Sequence, residues 1–222
     1  MKVICFDLDD TLYKEIDFLK SAFGEIVEHA LTYSGKPDLR AADLYEGMLG
    51  TYFSKKDAFD YLIASVGEYM EKETLCCLYR NHVPQISCSE GAYELMTEIK
   101  RRGFELGIIT DGRSVQQWNK IKALGLDKIV SKENIIISEE FGSEKPTRTN
   151  YEYFIEKYPD ANEYFYIADN PKKDFVSPNA LGWKTICLSN NGKNIHQQQM
   201  DLSKEYLPQV VVDTLNEVIE LL

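Results

Sequence analysis

The sequence predicts an α/β fold, a Rossmann-like parallel sheet core with a helical bundle inserted after its first strand. Three observations predict it. A continuous apolar run, Lys2–Leu8, ends in acids close to the N-terminus. From about residue 15 to about residue 88, apolar residues recur at helical spacing and no strand pattern stands out. After that, strand-like and helix-like segments alternate to the C-terminus.

Each element has a local reason. Lys2–Leu8 is apolar without alternation, as a strand covered on both faces should be. The stretches DFLKSAFGEIVEHAL, ADLYEGMLGTYF, KDAFDYLIASVG and KETLCCLYRNHV place apolar residues three and four apart. They predict about four helices. Their aromatics, Phe18, Phe23, Tyr45, Tyr52, Phe53, Phe59, Tyr61 and Tyr69, are expected mostly in the core of that bundle. Ser89–Arg102 reads as a helix stopped by Gly103, and Phe104–Thr110 as a strand. A helix over Ser114–Leu124, a short strand at Asn134–Ser138 and a helix over Thr149–Tyr158 follow. Then come a strand at Glu163–Ala168, a helix over Pro171–Leu181 and a strand at Lys184–Leu188. Gly192–Gln199 is polar and reads as a loop without function, and Leu207–Leu222 reads as a closing helix. Alternation at this spacing implies right-handed βαβ units and a parallel sheet. The expected division is a core of residues 1–14 plus 89–222, with residues 15–88 inserted.

Composition narrows the function. A chain of 222 residues is long enough for one core domain and a smaller insertion. A formal charge of −11 argues against nucleic acid and anionic lipid as partners, though a local basic pocket for an anionic substrate is compatible with it. No apolar run approaches a membrane span, and the N-terminal run is too short for an export signal, so the cytoplasm is the expected compartment. The five cysteines, Cys5, Cys76, Cys77, Cys88 and Cys187, are odd in number and lack any CxxC pair, which fits reduced thiols better than a disulfide framework. His29, His82 and His196 stand in unrelated contexts and are expected to be packing or surface residues.

In an open parallel sheet, ligands bind beyond the carboxyl ends of the strands. The first strand runs into Asp7-Leu8-Asp9-Asp10-Thr11, the second into Thr110-Asp111-Gly112 and the fourth into Asp169, with Asp174 five positions on. Lys145 precedes Pro146. Three carboxylates, Asp7, Asp9 and Asp169, in one small volume need a counter-charge: two such groups ~4 Å apart repel by roughly 4 kcal/mol at an effective dielectric of ~20. All-oxygen ligands suit a hard divalent cation, and magnesium asks for only a couple of carboxylates. No soft or imidazole-rich cluster accompanies them, which disfavours zinc. A lysine, a threonine hydroxyl and loop amides complete a setting for a phosphoryl group. Asp7 and Asp9 are two apart, so both can face one substrate, one attacking and the other handling protons.

These residues resemble the haloacid dehalogenase-like (HAD) superfamily. DxDxT is present as Asp7-Leu8-Asp9-Asp10-Thr11, the strand-ending threonine as Thr110 in IITDG, and the lysine as Lys145 in SEKP. The acidic motif is present as Asp169-Asn170-Pro171-Lys172-Lys173-Asp174, with Ala168 where a glycine is usual and Lys173 where asparagine is frequent. The resemblance covers the whole sheet-forming part, in the family's motif order. It implies Asp7 as nucleophile and Asp9 as general acid/base. It implies Mg²⁺ held by Asp7, the carbonyl of Asp9 and Asp169, with phosphoryl oxygens held by Thr110 and Lys145. Asp174 would orient Lys145 or a metal-bound water. Asp111 either contacts substrate or caps the next helix. The insertion is similar to the family's C1 cap, which closes over the substrate.

The function expected on these grounds is magnesium-dependent hydrolysis of a small phosphomonoester, a sugar phosphate, nucleotide or similar metabolite, through an aspartyl-phosphate. A phosphomutase of the same architecture would share every motif. A haloacid dehalogenase would need neither Asp9 nor a metal. A phospho-accepting receiver domain would carry its aspartate after a later strand, and a non-catalytic binding protein would have a damaged acid cluster.

Overall fold

The computed structural model describes residues 1–67 and 70–222. Tyr69, expected among the aromatics of the insertion, lies outside the described residues. In chain order the elements are β1 (Lys2–Phe6), α1 (Glu15–Ser34), α2 (Ala41–Phe53), α3 (Ala58–Val66), α4 (Lys72–Asn81), α5 (Ala92–Arg101), β2 (Glu105–Thr110) and α6 (Ser114–Ala123). There follow β3 (Ile135–Ile137), α7 (Ser138–Phe141), α8 (Thr149–Lys157), β4 (Glu163–Ala168), α9 (Val176–Ala180), β5 (Lys184–Leu188), β6 (Val210–Val212) and α10 (Val218–Leu221). The chain divides into two compact units, Met1–Ile16 with Ile86–Leu222, and Asp17–Gln85. None of the described helices is long and apolar enough to cross a membrane.

The first unit holds a sheet of order β3-β2-β1-β4-β5-β6 with every neighbouring pair parallel. The apolar run of β1 is continuous because both of its faces are covered: Val3, Ile4, Cys5 and Phe6 are all fully buried. One face packs Val3 and Cys5 with Ile109, Tyr166, Cys187 and, from outside the strands, Tyr151, Phe154 and Trp183. Burying a large apolar side chain contributes roughly 1.5–3 kcal/mol. Gly107 sits at the tightest point of this face, where a Cβ would lie 2.6 Å from both Cys5 Sγ and the Phe154 ring. All five cysteines are free.

Two elements differ from expectation. The helix expected over Pro171–Leu181 forms only at Val176–Ala180. The closing helix expected over Leu207–Leu222 is instead β6, which pairs Ile186 with Val210 and Leu188 with Val212, then a short helical turn, then α10. Three consecutive valines favour extended backbone, and the open edge of β5 supplies their hydrogen-bond partners. Helix returns after Thr214, whose hydroxyl and amide form a capping box with Glu217.

The second unit consists, among the described residues, of α2, α3, α4 and nearly all of α1. Leu44, Met48, Leu62, Val66 and Leu75 are buried in it. Phe18 meets the Tyr79 ring edge-on at 5.3 Å, and Phe23 meets Tyr52 at 6.2 Å. Phe53, by contrast, is exposed. Asp57 caps α3 by accepting from the amides of Phe59 and Asp60, and Lys72 closes on both acids. His82 is a packing residue: buried, it shares a hydrogen bond of 2.7 Å with Ser21 Oγ through Nε2 and pairs with Glu25 through Nδ1.

Candidate active site

The sheet order decides which residues meet. β1 lies between β2 and β4, with Phe6 beside Ile108 on one side and Ile167 on the other. The Asp7 amide prolongs the ladder by donating to Ile167 O at 2.9 Å. Asp7, Thr110 and Asp169 therefore emerge side by side at the carboxyl edge, and all three are buried.

Lys145 reaches this edge from the segment before α8. Its buried ammonium lies 2.7 Å from Asp7 Oδ1 and 2.8 Å from Asp174 Oδ1, and it donates to the Tyr166 hydroxyl at 3.1 Å. Burial alone would lower its pKa, but Asp174, Asp7 and Asp111 outweigh that and hold it well above the ordinary lysine range. Asp174 is itself fixed by the Asn170 amide, which donates to its Oδ2 at 2.9 Å. The Lys145–Pro146 peptide is cis.

Carboxylate oxygens of Asp7, Asp169 and Asp174 all lie within 4.8 Å of one another. Burial raises the pKa of Asp7, Lys145 pulls it down and Asp174 pushes it up, leaving it at about 6. Asp169 is pushed to about 8 by burial, then by Asp7, Asp174 and Asp10. One ammonium thus leaves two of the three acids short of counter-charge.

Asp9 has a different setting. Its carboxylate takes Lys120 Nζ at 2.6 Å, Gln117 Nε2 at 2.8 Å and the Tyr13 hydroxyl. Burial works to raise its pKa, but Lys120, Tyr13 and Gln117 prevail and hold it below the usual carboxylate value. Gln117 also donates to Thr110 Oγ1 at 2.6 Å, tying the ends of β1 and β2 together. Asp10 adopts a left-handed backbone with φ 59, a conformation aspartate tolerates, and accepts from the amides of Glu15 and Ile195.

The chain matches the haloacid dehalogenase-like hydrolase family over residues 4–188. It belongs to that family. Over its full length it is 26% identical to the glyceraldehyde 3-phosphate phosphatase of Methanocaldococcus jannaschii, covering 96% of that protein. It is 29% identical to the protein of the same name from Pyrococcus furiosus, over 100% of this chain and 93% of the relative. Among solved structures, the HAD-hydrolase YfnB of Bacillus subtilis, bound to magnesium, superposes with a TM-score of 0.70 at 20% identity, over 99% of this chain and 97% of that one.

The donor set of this HAD-like site suits a metal. Three buried carboxylates offer only oxygen ligands, and two have raised pKa values that a cation would relieve. The side chain of Asp9 is outside this cluster, held instead by Lys120, Gln117 and Tyr13. Asp111 does not suit direct phosphate binding through its side chain. That carboxylate accepts from the Lys145 amide and from Lys173 Nζ, both at 3.0 Å, and an anion cannot donate to phosphate. Its contribution is to place Lys145 and Lys173. Nor does Asp111 cap the following helix, α6, whose first residue, Ser114, donates its amide to Glu139 at 2.7 Å.

Sequence reasoning missed several residues at this edge. Gln117 and Lys120 are three apart on one face of α6, and both are buried polar groups where apolar residues would be expected. That polarity was the available signal. Lys14 and the loop 189–198 carried none. Lys14 is an ordinary charged residue by type, yet it bonds Asn194, which in turn bonds Asp169.

Proposed function

We propose that this chain is a magnesium-dependent phosphatase that hydrolyses a small phosphomonoester through an aspartyl-phosphate on Asp7. The observation that carries the reading is the Asp7–Lys145–Asp174 chain of buried charge with Asp169 beside it. Asp7 is the group that attacks phosphorus. Lys145 keeps the Asp7 carboxylate aimed and, together with the Thr110 hydroxyl, offers donors to the phosphoryl oxygens. Magnesium would be held by the carboxylates of Asp7 and Asp169 and by the carbonyl of Asp9, and when bound it neutralises negative charge on the phosphoryl group.

Asp9 handles the proton. It gives one to the leaving oxygen as the P–O bond to the substrate breaks and the bond to Asp7 forms. It takes one from water as water attacks the phosphorus and Asp7 is released. The proton gained in the second step is the one given in the next cycle, so the balance closes. The donors around Asp9 favour its carboxylate, the form that accepts from water.

The insertion, residues 15–88, is the element we assign to substrate selection, as a C1 cap. It leaves the core directly after Asp9-Asp10-Thr11. The names carried by the relatives point to short phosphorylated aldehydes as substrates, with glyceraldehyde 3-phosphate foremost. The free cysteines suit the reducing cytoplasm. A dehalogenase would have no use for the clustered acids or for Asp9.

The test is phosphate release from a panel of short sugar phosphates and nucleotides, with magnesium and with a chelator. Release that depends on magnesium and favours triose phosphates is expected. Equal turnover with the metal stripped would reject the metal reading, and no release from any ester would reject the phosphatase.

A further inference from the structure

The polar loop after β5 does more than connect two strands. Asn194 Nδ2 donates to Asp169 Oδ2 at 2.8 Å, while its Oδ1 accepts from Lys14 Nζ at 2.7 Å. The two bonds agree on one orientation of the amide: turned over, it would set its oxygen against a carboxylate and its N–H against an ammonium. Lys14 also bonds the Asp10 carbonyl at 3.3 Å, so the residue holding Asn194 is anchored at the end of the Asp7–Thr11 segment.

The same loop grips the main chain of Asp169. Gln198 Nε2 donates to Asp169 O at 2.6 Å and to Leu188 O at 2.9 Å. The loop's shape is fixed internally, since Asn190 Oδ1 accepts from the amides of Gly192 and Asn194, and the Asn190 amide donates to Gln198 Oε1. Its link to the opposite side of the site is the Ile195 amide on Asp10 Oδ2 at 3.0 Å. Asp169 is thus held at both its carbonyl and one carboxylate oxygen. Its Oδ1 accepts no hydrogen bond among the described residues.

We propose that Asn194, clamped by Lys14, is a positioning residue of the cation site: it holds Oδ2 of Asp169 and so presents Oδ1 as the ligand oxygen. The inference rests on the metal reading above. Partners that orient a ligating carboxylate typically govern affinity by tenfold to a hundredfold. Lys14 gives the proposal a sign that separates it from simple charge. A positive group near a cation site weakens cation binding by Coulomb's law, so removing it should tighten binding. If Lys14 acts by holding Asn194, removing it loosens binding instead.

The experiment is calorimetric titration of the full chain with magnesium alone, with melting in chelator to show that each variant is folded. Asn194→Ala should weaken magnesium binding by about ten- to a hundredfold. Lys14→Met should also weaken it, and the double variant should be no worse than Asn194→Ala, because the two act in series. The magnesium concentration giving half-maximal phosphate release should rise by the same factor. Unchanged affinity in Asn194→Ala would overturn the proposal, as would equal or tighter binding in Lys14→Met. If the unmodified chain binds no magnesium, and Asp169→Asn behaves identically, the metal reading itself fails and takes this inference with it.

Discussion

Replacing Asp7 by asparagine separates what this residue does for the fold from what it does for chemistry. The 2.7 Å contact with Lys145 is an attraction of ~6 kcal/mol at an effective dielectric of ~20. Against it stand two carboxylates within 4.8 Å, each repelling an ionised Asp7 by ~3.5 kcal/mol or more on the same scale. With all three ionised, the terms cancel to about 1 kcal/mol. With Asp169 protonated, as its pKa of about 8 makes it at neutral pH without metal, one repulsion drops out. Asp7→Asn then costs ~2–3 kcal/mol. Lys145 keeps its contact with Asp174, and the amide preserves the shape. For a chain of this length the melting temperature should fall by no more than about 10 °C. Turnover should fall by at least ~10⁴-fold, since an amide cannot form the acyl-phosphate. The assay pairs phosphate release with thermal melting in chelator. Hydrolysis within tenfold of the parent would refute Asp7 as nucleophile. Loss of the folded state would refute the charge balance and make Asp7 a structural residue.

Lys145→Met should be far more damaging to the fold. It strands Asp7 and Asp174 beside each other without the ammonium that touches both, and breaking a buried pair in this way typically costs 3–5 kcal/mol. Chemical denaturation measures it, and a loss below about 1 kcal/mol would contradict the geometry. Stability without metal should fall as pH rises. Asp7 at about 6 and Asp169 at about 8 both stand above the ordinary aspartate value of 3.8, so between those limits the folded chain binds more protons than the unfolded one. Its stability is then greatest on the acidic side and is lost toward pH 8, by at most ~1.4 kcal/mol per pH unit for each group. Saturating magnesium should flatten that slope. A melting temperature in chelator that climbs from pH 5.5 to 8 would be the contrary result.

Much of the fold was legible from residue pattern alone. The apolar run Lys2–Leu8 announced a strand buried on both faces, and Gly103 marked where a helix stops. Acids and a threonine at three strand ends pointed to one edge of the sheet, because parallel strands all finish there. The tail was not legible: Val210–Val212 is a strand only because β5 has an edge to pair with, and a partner distant in the chain leaves no local signal. Asn194 and Lys14 illustrate the same limit. Each is an ordinary polar residue by type, and each acquires its place from a contact across 180 positions or fewer of intervening chain.

What the sequence by itself determined is the set of acids and the threonine at the strand ends and the strands that carry them, since those depend on residue type and short-range periodicity. The tertiary structure alone decided how those groups are charged and held. Lys145 is shared by Asp7 and Asp174, Asp9 is tied to Lys120 and Gln117 on α6, and Asp111 accepts from the Lys145 amide and from Lys173. Such pairings depend on distances of about 3 Å between segments far apart in the chain, and electrostatics changes steeply over that range.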